Sequence, residues 1–120
     1  MAKYDKNYCT RQMKETFGEY VKRLRTENNL TLTQLAAQLD LDSANLSKIE
    51  NGKRAFDEKR LIKLANFFKL NMDKLKTEFF SDLIAKKIYQ TKCCHETLLL
   101  AEEKIKYLQQ KEIKTGVLNL

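Results

Sequence analysis

The chain has 120 residues, 42% of them hydrophobic and 32% charged, so it has room for one core of ordinary size. It contains no Pro, no Trp and three Gly, a composition that predicts an all-α fold. The sequence has neither an apolar run long enough to cross a membrane nor a signal region, so we expect a cytoplasmic protein. Lys and Arg outnumber Asp and Glu by 23 to 16, a net charge of +7 that favours a polyanionic partner.

A basic N-terminal arm, residues 1–15, precedes the first helical pattern. Its cations are Lys3, Lys6, Arg11 and Lys14. Arms of this kind follow the DNA minor groove in other DNA-binding proteins, and terminal segments are also often disordered in solution. Both interpretations of the arm stay open from the sequence alone.

The first helix is predicted to begin after Thr16. Thr16 and Glu19 match a capping box, in which each side chain accepts a hydrogen bond from an otherwise unpaired amide. The apolar stripe that follows consists of Phe17, Val21 and Leu24. The pair Asn28 and Asn29 should end this helix, because Asn tolerates the left-handed conformation found at helix ends.

A second, short helix should follow after a very short connection. Thr31 and Gln34 repeat the capping-box pattern within a few residues of the Asn pair. The buried face of this helix is predicted to consist of Leu35, Ala36 and Leu39. The run from Asp40 to Ser43 then supplies a turn former and a new N-cap.

The third helix opens with small side chains and is the candidate for contact with DNA. Leu46 and Ile49 turn one side of it toward the core. The residues left facing outward are Ser43, Ala44, Ser47 and Lys48. Short leading side chains let a helix approach base edges, where Ala can touch a thymine methyl, Ser can bond a base or a phosphate, and Lys can reach guanine. Asn51 and Gly52 should end this helix.

Three further helical segments are predicted. Asp57 caps the fourth, whose inward residues are Leu61, Leu64, Ala65 and Phe68. A fifth begins after Asn71, and a final helix runs to about Lys111 after a break near residues 90–92. A single uninterrupted helix over residues 72–112 is the alternative, because no Gly or Pro intervenes.

Two short helices joined by a tight turn are the layout of a helix-turn-helix unit. With Leu35-Ala36, Leu46 and the run Ile49-Glu-Asn-Gly-Lys53 in family order, the sequence resembles the phage repressor and Cro type of helix-turn-helix regulators. The resemblance covers residues 16–76 and implies a five-helix, lambda-repressor-like DNA-binding domain. Residues 77–120 then form a C-terminal helical extension.

The resemblance also implies roles for individual residues. Those placed where family members touch the sugar-phosphate backbone are Asn45, Asn51, Lys53 and Arg54, and we add Thr33 because free amides at a helix start favour anions. Arg25 and Glu50 match an ion pair that would orient the third helix. The sequence departs from the family at Asp40, where a Gly is usual, and at Leu32, which replaces a polar residue.

The final helix carries an apolar stripe made of Leu98, Ala101, Ile105 and Leu108. It either packs onto the domain or pairs with a second copy, and we favour self-association because helices one to five already supply a core. We assign Phe79 and Leu83 to the same dimerisation surface, although both could belong to the domain.

These patterns and the resemblance predict a homodimeric transcriptional regulator, of the repressor or restriction-modification controller type, that binds double-stranded DNA at a palindromic operator. The alternative is a protein-interaction or antitoxin-type module whose C-terminal helices bind a partner chain. We expect no enzyme activity, cofactor or metal site, because no paired nucleophile and base, phosphate loop or ligand cluster is present. We expect reduced thiols at Cys9, Cys93 and Cys94. If Cys93 and Cys94 lie on a helix, their side chains point about 100° apart and cannot converge on one metal ion.

Overall fold

The computed structural model describes residues 15–115, with side chains up to residue 112. Over this range the chain forms six α-helices and no strand, so the all-α prediction is confirmed. The helices are α1 Phe17–Glu27, α2 Leu32–Gln38, α3 Ser43–Glu50, α4 Leu61–Phe68, α5 Met72–Thr91 and α6 His95–Thr115, with a 3-10 turn Glu58–Arg60 before α4. The predicted arm cations and Cys9 lie outside the described residues.

Both predicted capping boxes are present. At the start of α1 the Glu19 amide donates to Thr16 Oγ1 at 3.1 Å, and the Thr16 amide donates to Glu19 Oε1 at 3.0 Å. At the start of α2 the corresponding distances between Thr31 and Gln34 are 3.1 and 2.8 Å. These reciprocal bonds satisfy amides that would otherwise lack partners, so the first two helix starts are fixed by local sequence.

The helices of the first compact unit, which extends to Leu83, enclose a single apolar core. Its buried residues are Phe17, Tyr20, Val21, Leu24, Leu35, Ala36, Leu39, Leu46, Ile49, Phe56, Leu61, Leu64, Ala65, Leu75 and Phe79. The predicted boundary at residue 76 therefore lies inside this unit. Of the residues predicted to face inward from α4, Phe68 is only partly buried.

Phe79 is the main correction within this unit. Its ring centroid lies 5.2 Å from that of Phe17 and 6.3 Å from that of Phe56, both in edge-on geometry. Such aromatic pairs add stability beyond the area that they bury. The assignment of Phe79 to a dimerisation surface was therefore wrong, since its side chain is part of the domain core, whereas Leu83 is exposed.

Charged groups on the flank of α1 are paired among themselves. Arg23 Nη2 lies 2.8 Å from Glu15 Oε1, and this hydrogen bond raises the pKa of the guanidinium. The neighbouring Tyr20 hydroxyl is buried, and its burial raises the pKa of the phenol, an effect to which the Glu78 carboxylate adds. Tyr20 therefore stays neutral as a core residue at physiological pH.

The second unit, from Ile84 onward, contains the end of α5 and the whole of α6. The helix break spans residues 92–94, slightly later than predicted, so the single helix over 72–112 was wrong, and α6 continues past Lys111 to Thr115. Cys93 and Cys94 lie in this break and are exposed, so the helical geometry considered for this pair does not apply. No helix among the described residues is both long and apolar enough to cross a membrane.

Candidate nucleic-acid interface

An ion pair between α1 and α3 fixes the end of the third helix. Arg25 Nε donates to Glu50 Oε2 at 2.8 Å, and Arg25 Nη2 donates to Glu50 Oε1 at 3.1 Å. The two side chains are only 13% and 4% exposed. The remaining arm of the guanidinium donates to the Leu30 carbonyl at 2.9 Å, so one side chain joins α1, the connection before α2, and α3.

The same two helices approach closely at Gly18. A Cβ atom at this position would lie 2.3 Å from the Ile49 carbonyl oxygen and 3.0 Å from that of Glu50. Real Cβ atoms do not approach backbone oxygens so closely, so only glycine allows this packing. The position of α3 against α1 is thus set by two kinds of contact, the close backbone approach at Gly18 and the Arg25–Glu50 ion pair.

The two sides of α3 differ as the sequence predicts. Leu46, Ile49 and Glu50 are buried against α1 and α2. Ala44 and Lys48, one turn apart, are exposed on the opposite side. Ser43, Asn45 and Ser47 lie along the margins and are half-buried. The outward surface of α3 therefore presents the short side chain of Ala44 and, one turn later, the ammonium group of Lys48.

The start of α3 is held by a chain of side-chain hydrogen bonds. Asp42 is the N-cap and accepts from the Asn45 amide at 2.7 Å. The Asn45 side chain then donates to Asp42 Oδ2 at 3.2 Å and accepts from Arg54 Nη1 at 2.9 Å. Asn45 and Arg54, both implied to touch the DNA backbone, therefore contact each other in the free protein.

The loop after α3 carries the remaining predicted contacts. Gly52 has a φ of +77°, which lets the chain reverse so that the Lys53 amide donates to the Lys48 carbonyl at 2.8 Å. Asn51, Lys53 and Arg54 are all exposed, as is Thr33 in the first turn of α2. Within the described part of the chain neither Lys48 nor Lys53 forms an ion pair, so both ammonium groups are available to phosphate or bases.

Sequence reasoning missed several residues that shape this region. The sequence patterns gave no role to Gly18, Arg60 or Lys63. Arg60 donates to the carbonyls of Leu39 and Asp40, and Lys63 contacts the Asp40 carboxylate. These contacts join positions about 20 or more residues apart, so no local sequence signal could have found them.

Two short helices at a tight turn, with the second turned outward, define a helix-turn-helix DNA-binding domain. A family model described as Helix-turn-helix matches residues 21–75. The HTH-type transcriptional repressor RghR of Bacillus subtilis (strain 168) is 34% identical over 113 residues, which cover 82% of this chain and 84% of the relative. Control protein C.MunI from Mycoplasma sp is 38% identical over 72 residues, 59% of this chain and 92% of the relative.

The chain therefore belongs to the helix-turn-helix family, and the resemblance to regulators of the phage repressor and Cro type is confirmed. No solved structure matches the chain significantly.

Proposed function

We propose that the protein is a sequence-specific transcriptional regulator that reads double-stranded DNA with the outward side of α3. The observation that carries this proposal is the position of Ala44 and Lys48, exposed on a helix whose other side is anchored by Arg25–Glu50. Ala44 would touch a thymine methyl and Lys48 the O6 and N7 atoms of a guanine, with Ser43 and Ser47 at the margins of the contact. The similarity to a repressor and a control protein supports the same conclusion.

Contacts to the phosphates would come from both ends of the helix-turn-helix unit. Lys53 and Arg54 are exposed cations in the loop after α3. Polar groups are added by Asn45 in α3, by Asn51 at its C-terminal end and by Thr33 in the first turn of α2. Phosphate contacts fix the register of a protein on DNA and make its affinity depend on salt, whereas groups that reach base edges set the sequence preference. The proposal therefore assigns sequence preference to α3 and affinity to its flanks.

Selection from a random duplex library tests the function directly. A specific regulator should enrich one motif, and the enriched duplex should bind about a thousandfold or more tighter than a random one at the same salt concentration. Binding that fades equally for all sequences as salt rises would instead indicate a general affinity for polyanions. Failure to bind duplex DNA at all would favour the protein-interaction alternative.

The division of roles within the site predicts different results for two lysine variants. Lys48→Ala should relax the preference at one base pair and cost the enriched duplex about 1 to 3 kcal/mol of binding free energy. Lys53→Ala should weaken all duplexes alike and lower the salt slope by about 1. Equilibrium titrations of both variants, on enriched and random duplexes, check this. An equal loss of selectivity in the two variants would contradict the assignment.

We further propose that the regulator acts as a homodimer on a palindromic operator, with α6 as the contact surface. The stripe residues Leu98, Ile105 and Leu108 are 42, 54 and 55% exposed, and Ala101 is exposed with them. Their spacing of three and four residues places them on one side of the helix, as in a coiled-coil seam. Leu83 is exposed on α5 and remains a candidate for the same contact.

The dimer is tested by a charge placed in the seam. Ile105→Asp should give monomers in sedimentation, because an unpaired carboxylate would be buried between the two helices. Leu99→Asp is the matched control, since Leu99 is similarly exposed but lies about 120° around α6 from Ile105, outside the stripe. This variant should leave the mass unchanged. A dimer that survives Ile105→Asp would place the interface elsewhere.

A further inference from the structure

The turn between α2 and α3 is held by side chains from the segment that leads into α4. Asp40 adopts a φ of +56°, in the left-handed region, which costs a non-glycine residue about 1 kcal/mol. The backbone closes the turn with a single short hydrogen bond, from the Leu41 amide to the Ala36 carbonyl at 2.9 Å, while the Asp40 amide lies 3.4 Å from its acceptor. A conformation of this kind persists when neighbouring groups support it.

Arg60 supplies that support through two nitrogens of its guanidinium, while the third anchors the group to Asp57. Its Nε donates to the Leu39 carbonyl at 2.8 Å and its Nη2 to the Asp40 carbonyl at 3.2 Å. Its Nη1 donates to Asp57 Oδ2 at 2.9 Å, which holds the guanidinium in place. The carbonyls at the end of a helix lack partners within the helix, so Arg60 acts as a C-cap for α2 supplied from a distant part of the chain.

Lys63, one turn further on, contacts the carboxylate of the same Asp40. The two cations therefore reach the turn in complementary ways, Arg60 through backbone carbonyls and Lys63 through the side chain. Because the pair between Lys63 and Asp40 is largely exposed, its contribution to stability is small, but it offsets a negative charge near the proposed DNA surface.

We propose that Arg60 is a positioning residue for DNA recognition, which sets the angle at which α3 leaves the turn. The Arg60 side chain is 27% exposed and each nitrogen of its guanidinium already has an acceptor, so it is poorly placed to bind a phosphate as well. Arg60, although basic and close to α3, therefore controls the preference among DNA sequences and not the salt-dependent affinity for DNA. This inference rests on the proposed function of α3 as the reading helix.

The test compares Arg60→Gln and Arg60→Lys with Lys59→Gln, which removes a neighbouring exposed cation. In the free protein, Arg60→Gln should raise the hydrogen-exchange rate of the Leu41 amide at least about fivefold, and Lys59→Gln should leave it within about twofold. On DNA, Arg60→Gln should lower the ratio of enriched to random duplex affinity about tenfold without changing the salt slope. Arg60→Lys should resemble Arg60→Gln, because an ammonium cannot bond both carbonyls in a fixed fork.

Several results would overturn the positioning role. A salt slope reduced by about 1, with enriched and random duplexes weakened alike, would make Arg60 a phosphate contact. Recovery of exchange and selectivity in Arg60→Lys would show that charge alone matters. Faster exchange with an unchanged affinity ratio would leave Arg60 with a purely structural role. If the unmodified chain enriches no motif, the proposed function itself fails, and that result is visible without any Arg60 variant.

Discussion

Ala44→Glu should abolish specific DNA binding while leaving the fold intact. Ala44 is exposed in the first turn of α3, on the side opposite the buried Leu46 and Ile49. A glutamate there adds both length and negative charge where α3 is proposed to approach DNA most closely, and such like-charge contacts cost several kcal/mol. We expect the affinity for the enriched duplex to fall about 100-fold or more, as measured by fluorescence anisotropy.

The same substitution should not unfold the protein. Acidic residues are favourable in the first turn of a helix, where they face the positive end of the helix dipole, so the melting temperature should stay close to that of the unmodified chain. Ala85→Glu is the matched control, with the same change of side chain and charge at an exposed position of the second unit. If the Ala44→Glu variant still bound the enriched duplex, α3 could not be the part of the protein that contacts DNA.

The starts of α1 and α2 could be predicted from sequence because their causes are local, whereas the prediction that Asp57 caps α4 was wrong: Asp57 caps the 3-10 turn, and α4 begins at Leu61 without a side-chain cap. A capping box needs only two side chains three residues apart, and Thr16 with Glu19 and Thr31 with Gln34 fulfil this. The end of α3 could be predicted equally well, since Asn51 and Gly52 favour the conformations found at helix ends. The outward face of α3 followed from where Leu46 and Ile49 had to point.

Long-range packing could not be predicted in the same way. Phe79 fits a helical stripe, but the period of a stripe does not say which surface covers it, and here Phe17 and Phe56 do. Gly18 carries no periodic signal at all, because its role is to let the Ile49 carbonyl approach. The contact of Arg60 with the turn depends on the course of the chain through α3 and the loop that follows it.

Removal of one partner of the Arg25–Glu50 pair should cost more stability than any exposed substitution in this chain. Glu50 is 4% exposed and accepts two hydrogen bonds from Arg25, so Glu50→Ala leaves the guanidinium charge buried without its partner. We expect the free energy of unfolding to fall by about 3 to 5 kcal/mol, measured by urea denaturation. Glu27→Ala, which removes an exposed carboxylate paired with Arg23, should cost under about 1 kcal/mol.

The double variant Arg25→Met with Glu50→Leu distinguishes the effect of the ion pair on protein stability from its effect on the orientation of α3. Because an apolar pair avoids the cost of desolvating two charges, the double variant should be more stable than Glu50→Ala alone. It cannot replace the hydrogen bond from Arg25 to the Leu30 carbonyl, nor the fixed geometry of two parallel bonds to Glu50. If the ion pair orients α3, the double variant should recover stability but still discriminate poorly between enriched and random duplexes. Full recovery of both properties would mean that Gly18 and the apolar core suffice to hold the reading helix in position.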